Sequence, residues 1–408
     1  MARTLSDWLD RIANHHPQEI DLSLDRVRTV FERLLPTGIQ CPVITVAGTN
    51  GKGSTVAYID ALARASGIKA LAFTSPHLYS YRERLTYDNQ WLTEQQHIES
   101  FRAIEQAATD ITLTFFEIST LSALYWADKL KPDLLILEVG LGGRLDSTNI
   151  VDADVAVITT IDFDHQEYLG NSLAAIAREK LGVVKQQTTA ILADDTIPEA
   201  CITDMHCKAL IQAGVDYQFV DGTITFSEQH KLPAQIQPQS NAAAGLVAFH
   251  QLFADRLSTS VVDSANQNLQ LKGRYQVLCQ SPLTILDVAH NPQAVNHLVT
   301  QLQQRHVQNI HAIIGMMHDK NLSEVIRILK NSVMHWHFCD LDSPRAAAAR
   351  QLSTVAEAQG ISLSDISCYS SPIEAYDAVS CDVNPSDDSI IIIGSFLTVG
   401  PIIEQANL

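Results

Sequence analysis

The sequence lacks the features that mark disulfide-rich, zinc-binding and membrane-spanning proteins. Its seven cysteines are scattered, odd in number and never paired as Cys-x-x-Cys, so neither a disulfide framework nor a zinc site is expected. No apolar run approaches the roughly 20 residues that cross a bilayer, and the N-terminal segment contains acids that a signal peptide would not carry. We therefore expect a cytoplasmic protein with reduced thiols and no membrane partner.

Positive charge is also scarce. The 408 residues carry a formal net charge of -18, which argues against a nucleic-acid partner because such proteins usually present a basic face. A local pocket can still bind an anionic small molecule within an acidic chain. The length predicts two or three domains at about 150 residues per domain, and we expect a monomer.

Short apolar runs alternate with helical patterns along the chain, as in an α/β protein. Over residues 1–275 the alternation predicts a P-loop-type, mostly parallel sheet flanked by helices, with an antiparallel excursion at 216–239. Over residues 276–408 it predicts a smaller, Rossmann-like α/β domain, with the boundary near 271–281. The predicted strands are 43–47, 69–73, 133–140, 154–161, 189–192, 283–288, 310–315, 335–339 and 389–394, and the predicted helices are 54–66, 95–108, 118–130, 173–185, 241–252, 293–304, 322–330, 346–357 and 373–379.

The stretch VAGTNGKGS, residues 46–54, has the strand-to-helix setting of a phosphate-binding loop but not the usual G-x-x-x-x-G-K-[ST] spacing. Its glycines let the backbone approach phosphate oxygens, and the positive end of the following helix faces the anion. Lys52 adds a point charge, and Ser54 or Thr55 offers a hydroxyl to Mg²⁺. These features favour phosphate binding over a glycine turn without a ligand.

Polar side chains follow several other predicted strands. Glu138 ends a buried strand, where a carboxylate can hold Mg²⁺ opposite the phosphate loop, and Asp146 lies in the glycine-rich loop after it. Asp164 and His165 follow the next strand and could ligate a metal, although an isolated histidine is more often a hydrogen-bonding residue. Ser75, in TSPHL, could also reach a metal. These strand ends together predict a metal site beside the phosphate loop.

The second predicted domain repeats the pattern of polar residues after strands. DVAHNP places Asp287, His290 and Asn291 at the end of its first predicted strand, and Arg274 lies at the domain junction. Such residues could touch a nucleotide and neutralise a phosphate. We therefore expect the second domain to close over a nucleotide that the first domain holds.

Taken together, these motifs resemble the folylpolyglutamate synthase family, and most closely its bacterial bifunctional dihydrofolate synthase/folylpolyglutamate synthases. That family belongs to the Mur-ligase-like ATP-dependent amide ligases, and the resemblance runs from Asp21 to Val399. The shortened phosphate loop is the family's own form. The motifs that carry the resemblance are GTNGKGS, TSPHL, LTFFE, LEVGLGGRLDSTN, DH, REK, GR, DVAHNP and HDK.

The resemblance implies ATP and Mg²⁺ as cofactors, with catalytic roles for Lys52, His165 and Lys180. Lys180, in REK, matches a family lysine that is carbamylated. The implied Mg²⁺ ligands are Ser75, Glu138 and His165. The implied ATP contacts are Gly51, Lys52, Gly53, Ser54, Asn241, Arg274, Asp287 and His290, and the implied pterin or folate contacts are Ile20, Asp21, Leu22, Thr114, Phe115, Phe116, Glu117, Leu145, Asp146 and Ser147.

The reaction implied by the resemblance is ATP-dependent ligation of L-glutamate to 7,8-dihydropteroate and to the glutamate tail of reduced folates, through an acyl phosphate. One alternative is a monofunctional folylpolyglutamate synthase, which LTFFE disfavours. Another is a Mur-type cell-wall ligase, although the phosphate loop begins too early for an N-terminal uridine-nucleotide domain. A P-loop GTPase switch would need an N-K-x-D-like motif, which the sequence lacks.

Overall fold

The computed structural model describes residues 4–194, 197–226, 228–233, 236 and 238–406. The chain forms two compact units, the first made of residues 1–77 and 81–270 and the second of residues 78–80 and 271–408. The boundary expected at residues 275 and 276 therefore falls within the second unit. Part of the expected antiparallel excursion, at positions 227, 234, 235 and 237, lies outside the described residues.

The first unit contains ten α-helices and eleven strands in its described residues. Its helices are α1 (Leu5–Ala13), α2 (Asp25–Leu34), α3 (Lys52–Ala65), α4 (Glu94–Ala107), α5 (Phe115–Leu130), α6 (Gln166–Leu169), α7 (Leu173–Leu181), α8 (Glu199–Thr203), α9 (Gln239–Phe253) and α10 (Thr259–Asn268). Its strands are β1 (Val43–Ala47), β2 (Ala70–Phe73), β3 (Leu85–Tyr87), β4 (Gln90–Trp91), β5 (Leu134–Glu138), β6 (Val155–Ile158), β7 (Thr189–Leu192), β8 (Ala209–Gln212), β9 (Gln218–Val220), β10 (Thr223–Phe226) and β11 (Glu228–Lys231).

Eight of these strands form one sheet in the order β4-β3-β2-β5-β1-β6-β7-β8. Strands β2, β5, β1, β6, β7 and β8 run parallel, and the β3–β4 hairpin pairs antiparallel at one edge. Every residue of β1 and β5 is buried, as expected of strands with helices on both faces. The predicted mostly parallel sheet is therefore confirmed.

The parallel register brings the carboxyl ends of the central strands to one edge of the sheet. Val46 of β1 pairs with Glu138 of β5, and Ala47 pairs with Ile158 of β6. Phe73 of β2 pairs with Leu137. The loops that follow these four strands consequently start side by side, which is the usual ligand-binding edge of an open α/β sheet.

Helices cover this sheet through two different groups of contacts. Helices α1, α2, α4 and α5 pack with strand residues such as Leu135 and Leu137 in one apolar cluster. Helix α3 packs against α9, α10 and β5. A separate three-stranded antiparallel sheet, in the order β11-β10-β9, forms the predicted excursion.

The second unit is a smaller α/β structure built on a six-stranded sheet in the order β12-β13-β17-β14-β15-β16. Only β12 pairs antiparallel, and the other pairs are parallel. Its strands are β12 (Gln276–Gln280), β13 (Leu283–Leu286), β14 (Ile310–Ile314), β15 (Val333–Cys339), β16 (Ile366–Tyr369) and β17 (Ser389–Ile393), and its helices are α11 (Pro292–Gln304), α12 (Leu322–Leu329), α13 (Ala349–Ala358), α14 (Pro372–Asp382) and α15 (Phe396–Gln405).

Several predicted element boundaries need correction: strand 154–161 ends at Ile158, helix 173–185 ends at Leu181 and helix 346–357 begins at Ala349. Helices α1, α2 and α10 and strands β3, β4, β8 and β16 were not predicted. Helix α3 begins at Lys52 rather than at Ser54, because Gly51 serves as its N-cap. Helix α5 begins at Phe115 rather than at residue 118, because Thr114 caps it. The expected linker 271–281 contains the edge strand β12.

Among the described residues, no helix combines the length and the apolar character that crossing a membrane requires.

Candidate active site

The phosphate loop of residues 48–51 joins β1 to α3, and its shape depends on two glycines. Gly51 has φ +86°, and a Cβ there would lie 2.0 Å from the Nδ2 atom of Asn241. Gly48 has φ +150°, and a Cβ there would lie 1.7 Å from the Oγ1 atom of Thr159. Both positions therefore exclude any side chain, as close backbone approach requires.

The loop is held by the segment that follows β6. The Thr159 hydroxyl donates to the carbonyl of Asn50 at 2.7 Å, and the Asn50 amide donates to the Thr160 hydroxyl at 3.1 Å. The Thr49 amide donates to the Thr160 carbonyl at 2.7 Å, and its hydroxyl donates to the Asp162 carbonyl at 3.1 Å. The residues that follow β6 therefore hold the phosphate loop in shape without the help of a ligand.

Two lysine side chains meet on one carbonyl of this loop. Lys52 Nζ donates to the carbonyls of Gly48 and Thr49 at 3.0 and 3.2 Å. Lys180 Nζ, from α7, donates to the same Gly48 carbonyl at 2.9 Å. The first turn of α3 begins at Lys52, so its free amides lie close to the Lys52 charge. The amides and this charge together suit a phosphate.

Lys180 is unusual because it is a buried lysine, with 4 % of its surface exposed. Burial, followed by the charge of Lys52, lowers the pKa of Lys180 to about 7, although Asp164 and Asp146 act in the opposite direction. Much of the amine is therefore neutral at physiological pH.

Asn241 lies against the phosphate loop from α9. Its side chain is completely buried, and neither its Oδ1 nor its Nδ2 atom has a hydrogen-bond partner in the described part of the chain. An unpaired buried amide costs free energy unless a ligand satisfies it. The buried Asn241 side chain therefore supports the binding of a polar ligand at the phosphate loop.

The carboxylate of Glu138 lies beside the first turn of α3. A Cβ placed on Gly53 would be 3.6 Å from both of its oxygens. Glu138 is 5 % exposed and accepts a hydrogen bond from the Ser75 amide at 3.1 Å. The structure thus brings together the predicted residues Glu138 and Ser75, beside the helix turn that carries Ser54. Thr55, the alternative to Ser54, donates its hydroxyl to the Gly51 carbonyl at 3.0 Å.

His165 follows β6 in the same loop region and has φ +49° as the N-cap of α6. Its amide donates to Asp164 Oδ1 at 2.9 Å, and its Nε2 atom lies 3.9 Å from Asp164 Oδ2. The described residues hold no group of three or more His, Cys, Asp or Glu side chains arranged for a metal ion. The Glu138 carboxylate and the Ser75 hydroxyl are oxygen ligands of the kind that Mg²⁺ takes together with waters and nucleotide phosphates, whereas an imidazole is a less usual Mg²⁺ ligand.

The predicted pterin segment, Thr114–Glu117, is the capped start of α5. Thr114 Oγ1 accepts from the Glu117 amide at 3.2 Å, and Glu117 Oε2 accepts from the Thr114 amide at 2.7 Å. This capping box fixes the first turn, which carries Phe115 and Phe116. A Cβ on Gly140 would lie 2.5 Å from the Phe116 ring, so that ring lies against the loop after β5.

An ion-pair chain connects this helix start to the predicted entry residues. Arg26 donates to Glu117 Oε1 at 3.0 Å and to Asp21 Oδ2 at 2.7 Å. Asp21 and its neighbours Ile20 and Leu22 are partly exposed. The structure therefore brings the segments 20–22 and 114–117 together through Arg26, a residue for which the sequence predicted no role.

The third predicted pterin segment, Leu145–Ser147, is organised by Asp146. Its two carboxylate oxygens accept from the amides of Gly140, Leu141 and Thr148 at 2.9–3.0 Å and from the Thr148 hydroxyl at 2.6 Å. Burial raises the pKa of Asp146. Asp146 thus shapes the loop, while Ser147 contacts the Thr120 hydroxyl of α5 at 2.7 Å and Leu145 is half-buried.

In the second unit, the predicted ATP contacts Asp287 and His290 follow β13, and Arg274 lies just before β12, where its charge acts on Asp287. Asp287 accepts from the amides of Tyr275 and Ala289, each at 2.8 Å. Burial raises the pKa of Asp287, and the charge of Arg274 opposes that shift. His290 Nδ1 lies 2.8 Å from the Val288 carbonyl, so Nδ1 carries the hydrogen.

Sequence reasoning missed several residues that build the site. Thr159 and Thr160 lie at the carboxyl end of the predicted strand 154–161, and this position was the signal that could have identified them. Arg26 gave no such signal, because its partner Glu117 lies 91 positions away in the sequence. Arg84 gave none either, although its partner His77 lies only 7 positions away. A charged run such as RER reads from sequence as a solvated surface.

The chain matches two family models and several known proteins. Residues 46–231 match the Mur ligase middle domain, and residues 273–396 match the Mur ligase, glutamate ligase domain. The dihydrofolate synthase/folylpolyglutamate synthase of Escherichia coli is 39 % identical over 415 residues, covering 99 % of this chain and 96 % of that protein. The protein of the same name from Haemophilus influenzae is 33 % identical, covering 97 % of this chain and 96 % of its own length.

Solved structures agree with this match. A structure of Escherichia coli FolC in complex with DHPP and ADP superposes with a TM-score of 0.91 at 36 % identity, covering 100 % of this chain and 98 % of that chain. A bifunctional folylpolyglutamate synthase/dihydrofolate synthase with Mn, AMPPNP and L-glutamate bound gives the same TM-score, identity and coverage.

Proposed function

The chain belongs to the dihydrofolate synthase/folylpolyglutamate synthase family of Mur ligases, and on that premise we propose that it joins L-glutamate to 7,8-dihydropteroate and to the glutamate tail of reduced folates. It is an ATP-dependent carboxylate–amine ligase that acts on small molecules. Both curated relatives carry the bifunctional name, which favours two acceptors over the monofunctional alternative.

The observation that carries the proposal is the Glu138 carboxylate beside the first turn of the phosphate-loop helix. A ligase that phosphorylates a carboxylate must hold nucleotide phosphates and a divalent cation at one point. The loop supplies backbone amides, Lys52 supplies charge, and Glu138 supplies an anionic oxygen ligand.

The nucleotide contacts follow from this arrangement. Gly51, Lys52, Gly53 and Ser54 would surround the phosphates at the start of α3. The unpaired amide of Asn241 would gain a partner when the nucleotide binds. Arg274, Asp287 and His290 of the second unit stay predicted ATP contacts, and closure of that unit over the nucleotide stays a prediction.

Ser75, Glu138 and His165 would hold Mg²⁺. When bound, the ion neutralises phosphate charge and polarises the phosphoryl oxygens. Lys180 is the residue for which we propose carbamylation. Its neutral amine, favoured by burial, is the form that reacts with CO₂, and the product is a carbamate anion with release of a proton. Intact-mass spectra with and without bicarbonate would detect the added CO₂ or show its absence.

We propose that the pterin occupies the surface formed by residues 20–22, 114–117 and 145–147. The Asp21–Arg26–Glu117 ion pairs join the first two segments, and the Phe116 ring lies against Gly140, whose amide donates to Asp146 of the third. These contacts support the placement. The further proposals are a monomer in the cytoplasm, without nucleic-acid or membrane partners.

The reaction proceeds in two steps. A carboxylate oxygen of the acceptor attacks the γ-phosphorus of ATP, forming an acyl phosphate and releasing ADP. The amine of L-glutamate then attacks the acyl carbon, the amide forms, phosphate leaves and the amine loses a proton. Two anions approach each other in the first step, so positive charge from Lys52 and the loop amides lowers the barrier. Exclusion of water protects the acyl phosphate.

A phosphate-release assay tests the function. The purified chain is incubated with MgATP and either dihydropteroate or tetrahydrofolate, with and without L-glutamate. We expect ligation products with both acceptors that depend on glutamate. The Lys52→Ala variant should lose roughly 100- to 1,000-fold in turnover, the typical cost of removing a group that stabilises developing charge.

Lys69→Ala removes an exposed lysine of the same unit and serves as the matched control with unchanged turnover. Near-wild-type turnover of the Lys52 variant would contradict the site. Product with tetrahydrofolate but none with dihydropteroate would instead support the monofunctional alternative.

A further inference from the structure

Arg84 is a buried cation that no carboxylate pairs with in the described part of the chain. It ends the 3₁₀ helix Tyr81–Arg84, just before β3, and is 7 % exposed. Its one side-chain hydrogen bond within that part runs from Nε to His77 Nδ1 at 2.9 Å. Its Nη1 atom is fully buried and has no hydrogen-bond partner there. A buried charge in this state has lost its hydration without gaining equivalent hydrogen bonds from the protein, which costs free energy.

Aromatic rings form the rest of its surroundings. The guanidinium carbon lies 5.2 Å from the centre of the Phe115 ring and 5.6 Å from that of the Tyr81 ring. These cation–π contacts offset only part of the lost hydration. Burial lowers the pKa of Arg84, whereas the charges of Tyr81, Glu138 and Glu83 act in the opposite direction. The side chain still keeps its charge, because a guanidinium does not deprotonate in proteins.

His77 fixes the orientation of this cation. Because Arg84 Nε–H donates to Nδ1, the imidazole must be neutral and must carry its hydrogen on Nε2. With Nε occupied, the two terminal nitrogens of the fork are left for another acceptor.

The position of Arg84 identifies that acceptor. Its neighbour Phe115 belongs to the proposed pterin surface. Its hydrogen-bond partner His77 lies two residues after Ser75, whose amide donates to the Glu138 carboxylate of the proposed metal site. A substrate with its ring at the former and its reacting carboxylate at the latter must place that carboxylate near Arg84.

We propose that Arg84 binds the reacting carboxylate of the pteroate or folate acceptor and orients it for attack on the γ-phosphate. This inference rests on the proposed function. A planar guanidinium can hold one carboxylate oxygen or both, which fixes the nucleophile in one plane. Its charge also lets an anionic nucleophile approach an anionic phosphate. After the attack, the carboxylate has become a neutral acyl group and the electron pair lies in the new oxygen–phosphorus bond.

The test compares two ligands, dihydropteroate and the same pterin-aniline without its carboxylate, in equilibrium binding to the wild type and to Arg84→Met. The wild type should prefer the carboxylate-bearing ligand on the order of 10- to 100-fold, the usual worth of a charge-assisted hydrogen bond. Arg84→Met should bind both ligands equally. Its ADP affinity should be unchanged and its thermal stability equal or higher, because an apolar side chain replaces an unpaired buried charge.

Arg82→Gln is the matched control, since Arg82 lies on the same 3₁₀ helix but donates to the Leu92 carbonyl and stacks on Trp91. It should keep the full preference. Arg84→Lys keeps the charge without the planar fork, should retain part of the preference, and serves if the Met variant does not fold.

A Met or Lys variant that retains the full wild-type preference would overturn the inference. So would a loss of stability and of ADP binding in parallel with the loss of preference, because that pattern marks a structural residue. A wild type that binds dihydropteroate but ligates no glutamate would instead overturn the proposed function, and the ligand preference would still be measurable.

Discussion

At the residue scale, the phosphate loop depends on a contact between a glycine and an amide that are distant in the sequence. Gly51 has a left-handed backbone, and the Asn241 side chain occupies the space where its Cβ would stand. The left-handed backbone and the steric overlap are independent constraints, so their costs should add when a side chain replaces this glycine. Gly67, in the same unit, has the left-handed backbone without the steric overlap.

Gly51→Ala is therefore expected to lower the free energy of unfolding by about 2–5 kcal/mol, through strain and displacement of Asn241. Gly67→Ala is the control, since Gly67 has φ +77° with nothing within 4 Å of its Cβ position, and should cost only roughly 1–2 kcal/mol. Urea unfolding measures both, and ADP titration should show weaker binding only for the Gly51 variant. Equal losses of stability in the two variants would contradict the role of Asn241.

At the element scale, helix α5 unites folding and substrate binding at its first turn. Thr114 and Glu117 form a buried capping box, and Glu117 also pairs with Arg26. Helix α4 has the same box, formed by Thr93 and Gln96, at an exposed position. Helices α5 and α4 therefore allow a comparison between a capping box at the proposed pterin surface and a capping box away from it.

Thr114→Ala and Thr93→Ala should each lower stability by about 1 kcal/mol, because each leaves one helix-end amide without its acceptor. Only Thr114→Ala should also raise the Kd for dihydropteroate, since its cap positions Phe115 and Phe116. Thermal unfolding and ligand titration measure the two effects separately. An equal change of pterin affinity in both variants would mean that the effect follows from the lower stability of the unit rather than from the first turn of α5.

At the scale of the whole molecule, the second unit contains a group of three histidines on neighbouring strands. His311 Nδ1 lies 3.2 Å from His337 Nε2, and the rings of His311 and His335 are 4.7 Å apart. Burial, followed by the charges of His311 and His335, lowers the pKa of His337 to about 4. Burial also lowers the pKa of His311, with His335 adding to that shift. His311 and His337 are therefore protonated at a lower pH in the folded unit than in the unfolded chain.

The sign of the pH dependence follows. An unfolded histidine has a pKa of about 6.5, so as the pH falls from there to about 4 the unfolded chain binds protons that folded His337 does not. Stability should fall by about 2 kcal/mol between pH 7 and pH 5 on account of His337. His337→Gln should remove most of this loss, and the exposed His318→Gln should not. Urea unfolding at the two pH values measures it, and an unchanged pH dependence in the His337 variant would contradict the assignment.

The sequence by itself determined the central strands, most of the helices that cover them and the type of ligand. Continuous apolar runs predicted the parallel sheet, and the glycines around Lys52 predicted a phosphate loop, because strand burial and tight turns depend on nearby residues. The position of Glu138 after a buried strand predicted its place at the ligand edge, which the register of β1 and β5 confirms.

Only the tertiary structure decided how the side chains act. It placed Lys180 on the Gly48 carbonyl, where burial favours its neutral amine. It also placed Asn241 against Gly51, where its side chain has no hydrogen-bond partner among the described residues. It also enclosed Arg84 among aromatic rings with a single imidazole as acceptor. Burial and hydrogen-bond partners arise from contacts between distant segments, and the free energy of a charge depends on that surrounding rather than on its sequence neighbours.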